Sequence, residues 1–255
     1  MMKVTFLGTG GWQGIPAPFG DDEISKKVTF DSNDFRFRTS LLIETIRGKK
    51  ILIEATPDIR LQSWKYQFGK PDAIFISHWH WDHLWGLLDL DWQAEKSKLS
   101  VYGNSVTQKW YDENMSHISV DFTQFKSFEQ IQIDNVLITP IPVHHVVDTN
   151  GFIFENTETG DKFVYLADFF DIQESTIEMI SDAKNITIDA TYLDSDINDD
   201  LTHMQKDKFE SLFNKFQDSE LILANIGSYQ GFRHSDFEEK FSEQTIAFDG
   251  MTYLL

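Results

Sequence analysis

Short apolar runs recur along the chain, and most of them stop abruptly on a polar or ionisable residue. Val4 to Leu7 predicts a first strand, closed by a Gly8-Thr9-Gly10-Gly11 turn whose backbone freedom only glycine supplies cheaply. Leu41 to Ile43 and Ile51 to Ile53 predict a hairpin that turns at Arg47-Gly48. Thr56 as N-cap and Pro57 at the first helical position predict a helix to about Gln67, stopped by Gly69 and Pro71. Ile74 to Ile76 reads as a buried strand, and Leu84 to Leu88 as the start of a helix. Next come a strand over Leu99 to Tyr102, a helix over Ser105 to Met115, and an irregular stretch of strand character from Phe122 to Ile133.

In the second half, Val136 to Val143 predicts a strand whose Pro140 and Pro142 suit an edge or irregular position. Phe152 to Phe154 and Phe163 to Ala167 predict another hairpin, across Glu158-Thr159-Gly160. Ser175 with Glu178, Thr202 with Gln205 and Ser235 with Glu238 fit capping boxes and place three helix starts. Phe209, Leu212, Phe213 and Phe216 give the second of these helices a core-facing stripe. Asn185 to Ile188, Leu221 to Ala224 and Met251 to Leu255 complete the strands, and no internal repeat is visible. One connection, Trp12 to Phe37, is too long for a plain link, so a lid, a site wall or an oligomer contact is expected of it, the last allowing a homodimer.

The residues on which the strands stop form a set. Glu54, His78, His145, Asp168, Asp189 and Asn225 each follow an apolar strand, and His203 precedes a helix. Sheets flanked by helices bind ligands at such ends. A single polar strand end is as often there for solubility, so the coincidence carries the argument.

The densest part is His78-Trp79-His80-Trp81-Asp82-His83. His78 and His80, two apart in an extended turn, lean to one side, while Asp82 and His83 open the next element and face a neighbouring point. The spacing suggests two metal centres. Imidazole nitrogen with carboxylate oxygen suits zinc, manganese or iron better than magnesium or calcium.

Composition narrows the partners. With 255 residues, 41% of them hydrophobic, the chain can bury a large core, and 1–255 is expected to form one globular domain. Cysteine is absent, which excludes disulfides and thiolate chemistry. No signal-peptide core or membrane-length apolar run is present, so a soluble cytoplasmic protein without membrane contact is expected. Acidic residues outnumber basic ones 41 to 22, for a formal charge of −19, which disfavours long nucleic acid. Bound cations would reverse the sign locally and admit a small anionic substrate. Arg36, Arg38 and Arg233 read as surface charges, with phosphate contact the alternative; His117 reads as solvated, and His234 as a residue preceding the Ser235 cap, with reach into the cleft the lesser alternative.

The H-x-H-x-D-H pattern, a distal histidine, an aspartate after a later strand and a histidine before a late helix resemble the metallo-β-lactamase superfamily. The opening Phe6-Leu7-Gly8-Thr9-Gly10-Gly11, then Arg38-Thr39-Ser40, Ala55-Thr56-Pro57-Asp58 and the closing Phe248-Asp249-Gly250-Met251 resemble its phosphodiesterase branch, which includes a phosphoribosyl cyclic phosphate phosphodiesterase and ribonuclease Z. The resemblance implies an α/β (α+β) fold, a four-layer αββα sandwich, and two divalent ions, zinc or manganese, sharing an activated water. It places one ion on His78, His80 and His145, a second on Asp82 and His83, and Asp168 between them. It makes His203 the general acid, with Asp82 and Asp168 in the catalytic set, and puts Asp189 and His144 behind the ligands. Three departures stand out. Asn225 occupies the place of a metal histidine and is a weak ligand at best; Phe19-Gly20-Asp21-Asp22 lacks the cysteines of a structural zinc, leaving that loop to packing; and Glu54 replaces an orienting aspartate. The function implied is hydrolysis of a small phosphodiester, cyclic or linear. The alternatives are a thioester or lactam hydrolase, or a catalytically impaired metal-binding relative.

Overall fold

Two seven-stranded sheets account for the apolar runs in a computed structural model that describes residues 1–90, 98–166, 168–193, 202–228 and 231–255. The strands in chain order are β1 Lys3–Gly8, β2 Ser40–Glu44, β3 Lys50–Ile53, β4 Ala73–Phe75, β5 Leu99–Gly103, β6 Val120–Gln124 and β7 Ile131–Ile133. They continue as β8 Val136–Val143, β9 Thr149–Asn156, β10 Lys162–Tyr165, β11 Asn185–Asp189, β12 Glu220–Ala224, β13 Thr245–Ile246 and β14 Thr252–Leu254. The helices are α1 Glu23–Lys27, α2 Ile59–Tyr66, α3 Trp81–Leu84, α4 Ser105–Asn114, α5 Glu174–Ile180, α6 Lys206–Phe213 and α7 His234–Lys240.

One sheet runs β14-β1-β2-β3-β4-β5-β6 and the other β13-β12-β11-β10-β9-β8-β7. Each is antiparallel over one half and parallel over the other. Parallel neighbours require crossovers, and α2, α3 and α4 supply them in the first sheet, α5, α6 and α7 in the second. A crossover leaves from the C-terminal end of its strand, so the residues after β3, β4, β10, β11 and β12 emerge along corresponding edges. β8 is antiparallel to β9, which is antiparallel to β10, so its C-terminal end joins them. The convergence of strand-end residues follows from topology.

Three apolar clusters define four layers. Phe6, Ile43, Phe75, Phe152, Phe154 and Phe163 fill the space between the sheets. Leu52, Ile59, Ile74, Leu84 and Tyr111 join the first sheet to its helices, and Ile186, Ile188, Phe209, Leu212 and Phe237 join the second to its own. Phe152 touches both Phe75 and Phe125 edge-on at 5.7 Å, fastening sheet to sheet. Truncating such a buried ring to alanine costs about 3–5 kcal/mol.

The long early connection contains α1, capped by Asp22, whose carboxylate accepts from the N–H groups of Ile24 and Ser25. Phe30, Phe35 and Phe37 pack edge-on against one another, and the Lys65 ammonium lies 4.3 Å from the Phe30 ring centre. Aromatic packing thus holds this loop.

Several predicted boundaries move. The three capping boxes do not form as paired: α5, α6 and α7 begin after Gln173, Gln205 and Arg233. Asp58, not Thr56, directly precedes α2, with the Thr56 hydroxyl accepting from Asp58 N. The stretch from Phe122 to Ile133 resolves into β6, a turn and β7. Among the described residues no helix is long and apolar enough to cross a membrane.

Candidate metal centre

β4 delivers the histidine run. Ile76 N–H donates to Tyr102 O at 2.9 Å, prolonging the strand's pairing up to Ser77 and His78. His80 then caps α3, and His83 N–H donates to His80 O at 3.0 Å, which folds Asp82 and His83 back toward His78. The His78 ring lies 4.5 Å from His80, 4.2 Å from His83 and 5.1 Å from His145, measured between ring centres.

Donor atoms of His78, His80, His145 and Asp168 lie within 4.8 Å of one another, as do those of Asp82, His83 and Asp168, and those of Asp168, Asp189 and His203. Asp168 belongs to all three groups. Of the strand ends expected to converge, these groups bring together His78, His145, Asp168 and Asp189, with His203 beside them.

Each imidazole is aimed by a neighbour. His145 Nδ1 lies 2.7 Å from the carbonyl oxygen of Thr202, so it must carry the hydrogen and donate. That turns His145 Nε2 toward His80 Nδ1, 3.3 Å away. Ser77 Oγ holds His78 Nδ1 at 2.8 Å. The sequence pattern does not single out Ser77, and it marks Thr202 only as a helix cap; a hydroxyl directly before a candidate ligand is the available signal for the first, and a backbone carbonyl leaves none for the second.

Burial, with His83 nearby, holds His78 well below the ordinary histidine range. Burial and His145 push His80 down to about 4, and burial likewise lowers His145. Neutral rings have a lone pair to offer. Burial opposes charge on His83, yet Asp82, Asp168 and Glu54 together push it well above the usual value. Burial also works against ionised Asp168, but His83, His203 and His78 hold it well below the carboxylate range.

His78 Nε2 and both ring nitrogens of His83 are buried without a hydrogen-bond partner, as is Glu54 Oε1. The Asp82 and Asp168 carboxylates stand 3.3 and 3.4 Å from His83 Nε2. Buried polar atoms left unsatisfied are costly. A divalent cation accepting lone pairs from His78 Nε2, His80, His145 and Asp168 would satisfy the first of these atoms, so the residues present fit a metal of the zinc or manganese type.

Around these donors, Asp189 Oδ2 lies 2.7 Å from His203 Nδ1, and its other oxygen accepts from Thr191 N–H at 2.9 Å. Asn225 Nδ2 donates to Asp168 Oδ1 at 2.7 Å. His144 departs from expectation. It is exposed and its ring lies beside Phe170, 6.0 Å between centres, because consecutive residues leaving an extended strand face opposite ways and His145 takes the inward one. His117 is exposed.

Arg36 is not a surface charge. It is buried, donating to Thr9 Oγ1 at 2.7 Å, Ala247 O at 2.6 Å and His234 Nδ1 at 3.0 Å. This occupies His234 away from the donor groups. Arg38 pairs with Asp58 at 2.9 Å and lies 5.1 Å from the centre of the Trp81 ring, which meets Trp12 edge-on. Arg233 is exposed at the start of α7.

Comparison with known proteins agrees with this geometry. The family described as the Beta-lactamase superfamily domain matches residues 49–225, and the chain belongs to it. An octanoyltransferase of Porphyromonas gingivalis is 38% identical over 101 residues, covering 40% of this chain and 20% of that protein. A ribonuclease Z of Methanococcus maripaludis is 30% identical over 171 residues, covering 62% of this chain and 49% of that protein. The chain thus spans half or less of these curated relatives. Among solved structures, a diphosphatase from the PhnP family superposes with a TM-score of 0.86 at 24% identity, covering 100% of this chain and 98% of that one. Zinc-bound PqqB from Methylobacterium extorquens superposes with 0.84 at 18% identity, covering 99% and 100%.

Proposed function

We propose that this chain is a divalent-metal-dependent phosphodiesterase, with zinc or manganese as its ion, acting on a small anionic phosphodiester, cyclic or linear. The observation that carries the reading is the His203–Asp189 pair, 2.7 Å apart, beside the group of His78, His80, His145 and Asp168. A bound ion would supply Lewis acidity and a nucleophile available at neutral pH.

The chain's own residues supply the rest. Asp189 accepts the His203 Nδ1 proton, fixing the ring so that Nε2 is the atom able to hand a proton to a departing oxygen. The His203 ring centre lies 5.8 Å from that of His145, a separation that supports an acid acting beside the metal ligands. Asp168 orders three donor groups at once, and Glu54 backs His83. The names of the matched ribonuclease Z and diphosphatase support cleavage at phosphorus. The formal charge of −19 supports a small substrate over a long polyanion.

A second reading, a thioester or lactam hydrolase or an impaired metal-binding relative, draws on Asn225, whose amide is committed to Asp168. Zinc- and manganese-loaded protein assayed on bis-nitrophenyl phosphate, cyclic nucleotides, a thioester and a lactam separates these. Turnover of phosphodiesters, abolished by chelation, is expected. Turnover of only the thioester or lactam, or of nothing by fully loaded protein, would overturn the proposal.

A further inference from the structure

We infer that Asn225 makes the metal centre asymmetric, holding Asp168 by a hydrogen bond and leaving the Asp82–His83 side a weak site for a second ion. The inference rests on the metal-dependent reading above and adds how many ions the chain retains.

Asn225 follows β12, which pairs in parallel with β11 so that Ala224 stands beside Asp189. The two adjacent strand ends each support one functional side chain, Asp189 behind His203 and Asn225 behind Asp168. Asn225 is fixed from both sides. Its backbone φ is 63°, its carbonyl accepts from Thr191 Oγ1 at 2.8 Å, and its side chain is buried.

The amide nitrogen carries hydrogens and has no lone pair to give a cation. It donates at 2.7 Å to Asp168 Oδ1, which is also the oxygen 3.4 Å from His83 Nε2. The oxygen nearest the Asp82–His83 side is therefore the one the amide holds. Turning the amide over to offer its own oxygen would break that bond and set its carbonyl against the Asp168 carboxylate.

The donor groups differ accordingly. His78, His80, His145 and Asp168 supply four donors, three of them imidazoles. Asp82 and His83 are joined in their group only by Asp168, which the first group also uses. One strong site and one weak one follow from this difference.

The backbone at position 225 allows a direct test. Left-handed φ values are tolerated by asparagine, aspartate and histidine better than by most residues, so Asn225→His and Asn225→Asp exchange the donor for a ligand without moving the chain. Protein stripped with a chelator is dialysed against graded zinc or manganese, and bound metal is counted by mass spectrometry, with circular dichroism confirming the fold. Wild type is expected to keep one ion per chain, a second binding only at about a hundredfold higher free metal. Both variants are expected to bring the second ion within about tenfold of the first. Two equally tight ions in wild type, or folded variants that bind as wild type does, would overturn the inference. One tight ion with no hydrolysis of any ester supports this asymmetry while removing the phosphodiesterase reading.

Discussion

Glu54 Oε1 lies 3.5 Å from His83 Nδ1, and both side chains are wholly buried. The other Glu54 oxygen accepts from Ser77 N–H at 3.2 Å, so one carboxylate ties the segment delivering His78 to the ring of His83. Its backbone adopts φ 64°, a left-handed conformation that costs a residue with a Cβ about 1–2 kcal/mol. A side chain one carbon longer than aspartate reaches His83 from this twisted position.

Glu54→Asp withdraws the carboxylate, and Glu54→Gln removes its charge. Either change is expected to lower metal affinity by roughly 10–100-fold, read by competition with a chromogenic chelator. Unchanged affinity in both would show that Glu54 does not orient His83.

His203→Ala is expected to slow esters with poor leaving groups by about 10²–10⁴-fold and activated nitrophenyl esters far less, since only the former need a proton on the departing oxygen. Asp189→Asn should mimic the selective loss by disturbing the tautomer of His203. Equal losses on both ester types would remove His203 from the acid role.

Arg36 joins Thr9, Ala247 and His234 beneath the early loop. Burial pushes its guanidinium down to about 10, which still leaves it charged at pH 7. Arg36→Met leaves Ala247 O and His234 Nδ1 without their buried donor, and a loss of about 1–3 kcal/mol is expected in urea unfolding. A loss below about 1 kcal/mol would show that the network relaxes without it.

Burial raises Asp249 to about 7, against the opposing pull of Phe37 N–H, the Thr9 hydroxyl and Arg36. A carboxyl raised in the folded state stabilises the fold below its unfolded value near 4, and that contribution is lost as pH rises through about 7. The stability of wild type relative to Asp249→Asn should therefore fall by roughly 2 kcal/mol between pH 5 and pH 8. A difference independent of pH would contradict the raised value.

Much of the centre was legible because strand ends and ligand types are local features. An apolar run stopping on His78 or Asp168 declares both the strand and the donor, and parallel topology brings such ends together. What stayed hidden depends on tertiary neighbours. Helix starts at Gln173, Gln205 and Arg233 are set by how the chain leaves the preceding strand, so the capping-box pairs misplace them. Arg36 looks like surface charge until Thr9, Ala247 and His234 surround it. The outward turn of His144 depends on which residue of the pair points in, and spacing alone leaves that open. Asn225 was visible as a departure, but its hydrogen bond to Asp168 required the fold.

The central claim is that His78, His80, His145 and Asp168 grip one cation. Anomalous diffraction at the zinc edge from crystals grown with zinc tests it most directly. The account predicts a strong peak within bonding distance of all four residues, lost in His145→Ala. Crystals of folded protein with no peak there, or with an ion bound only elsewhere, would contradict it.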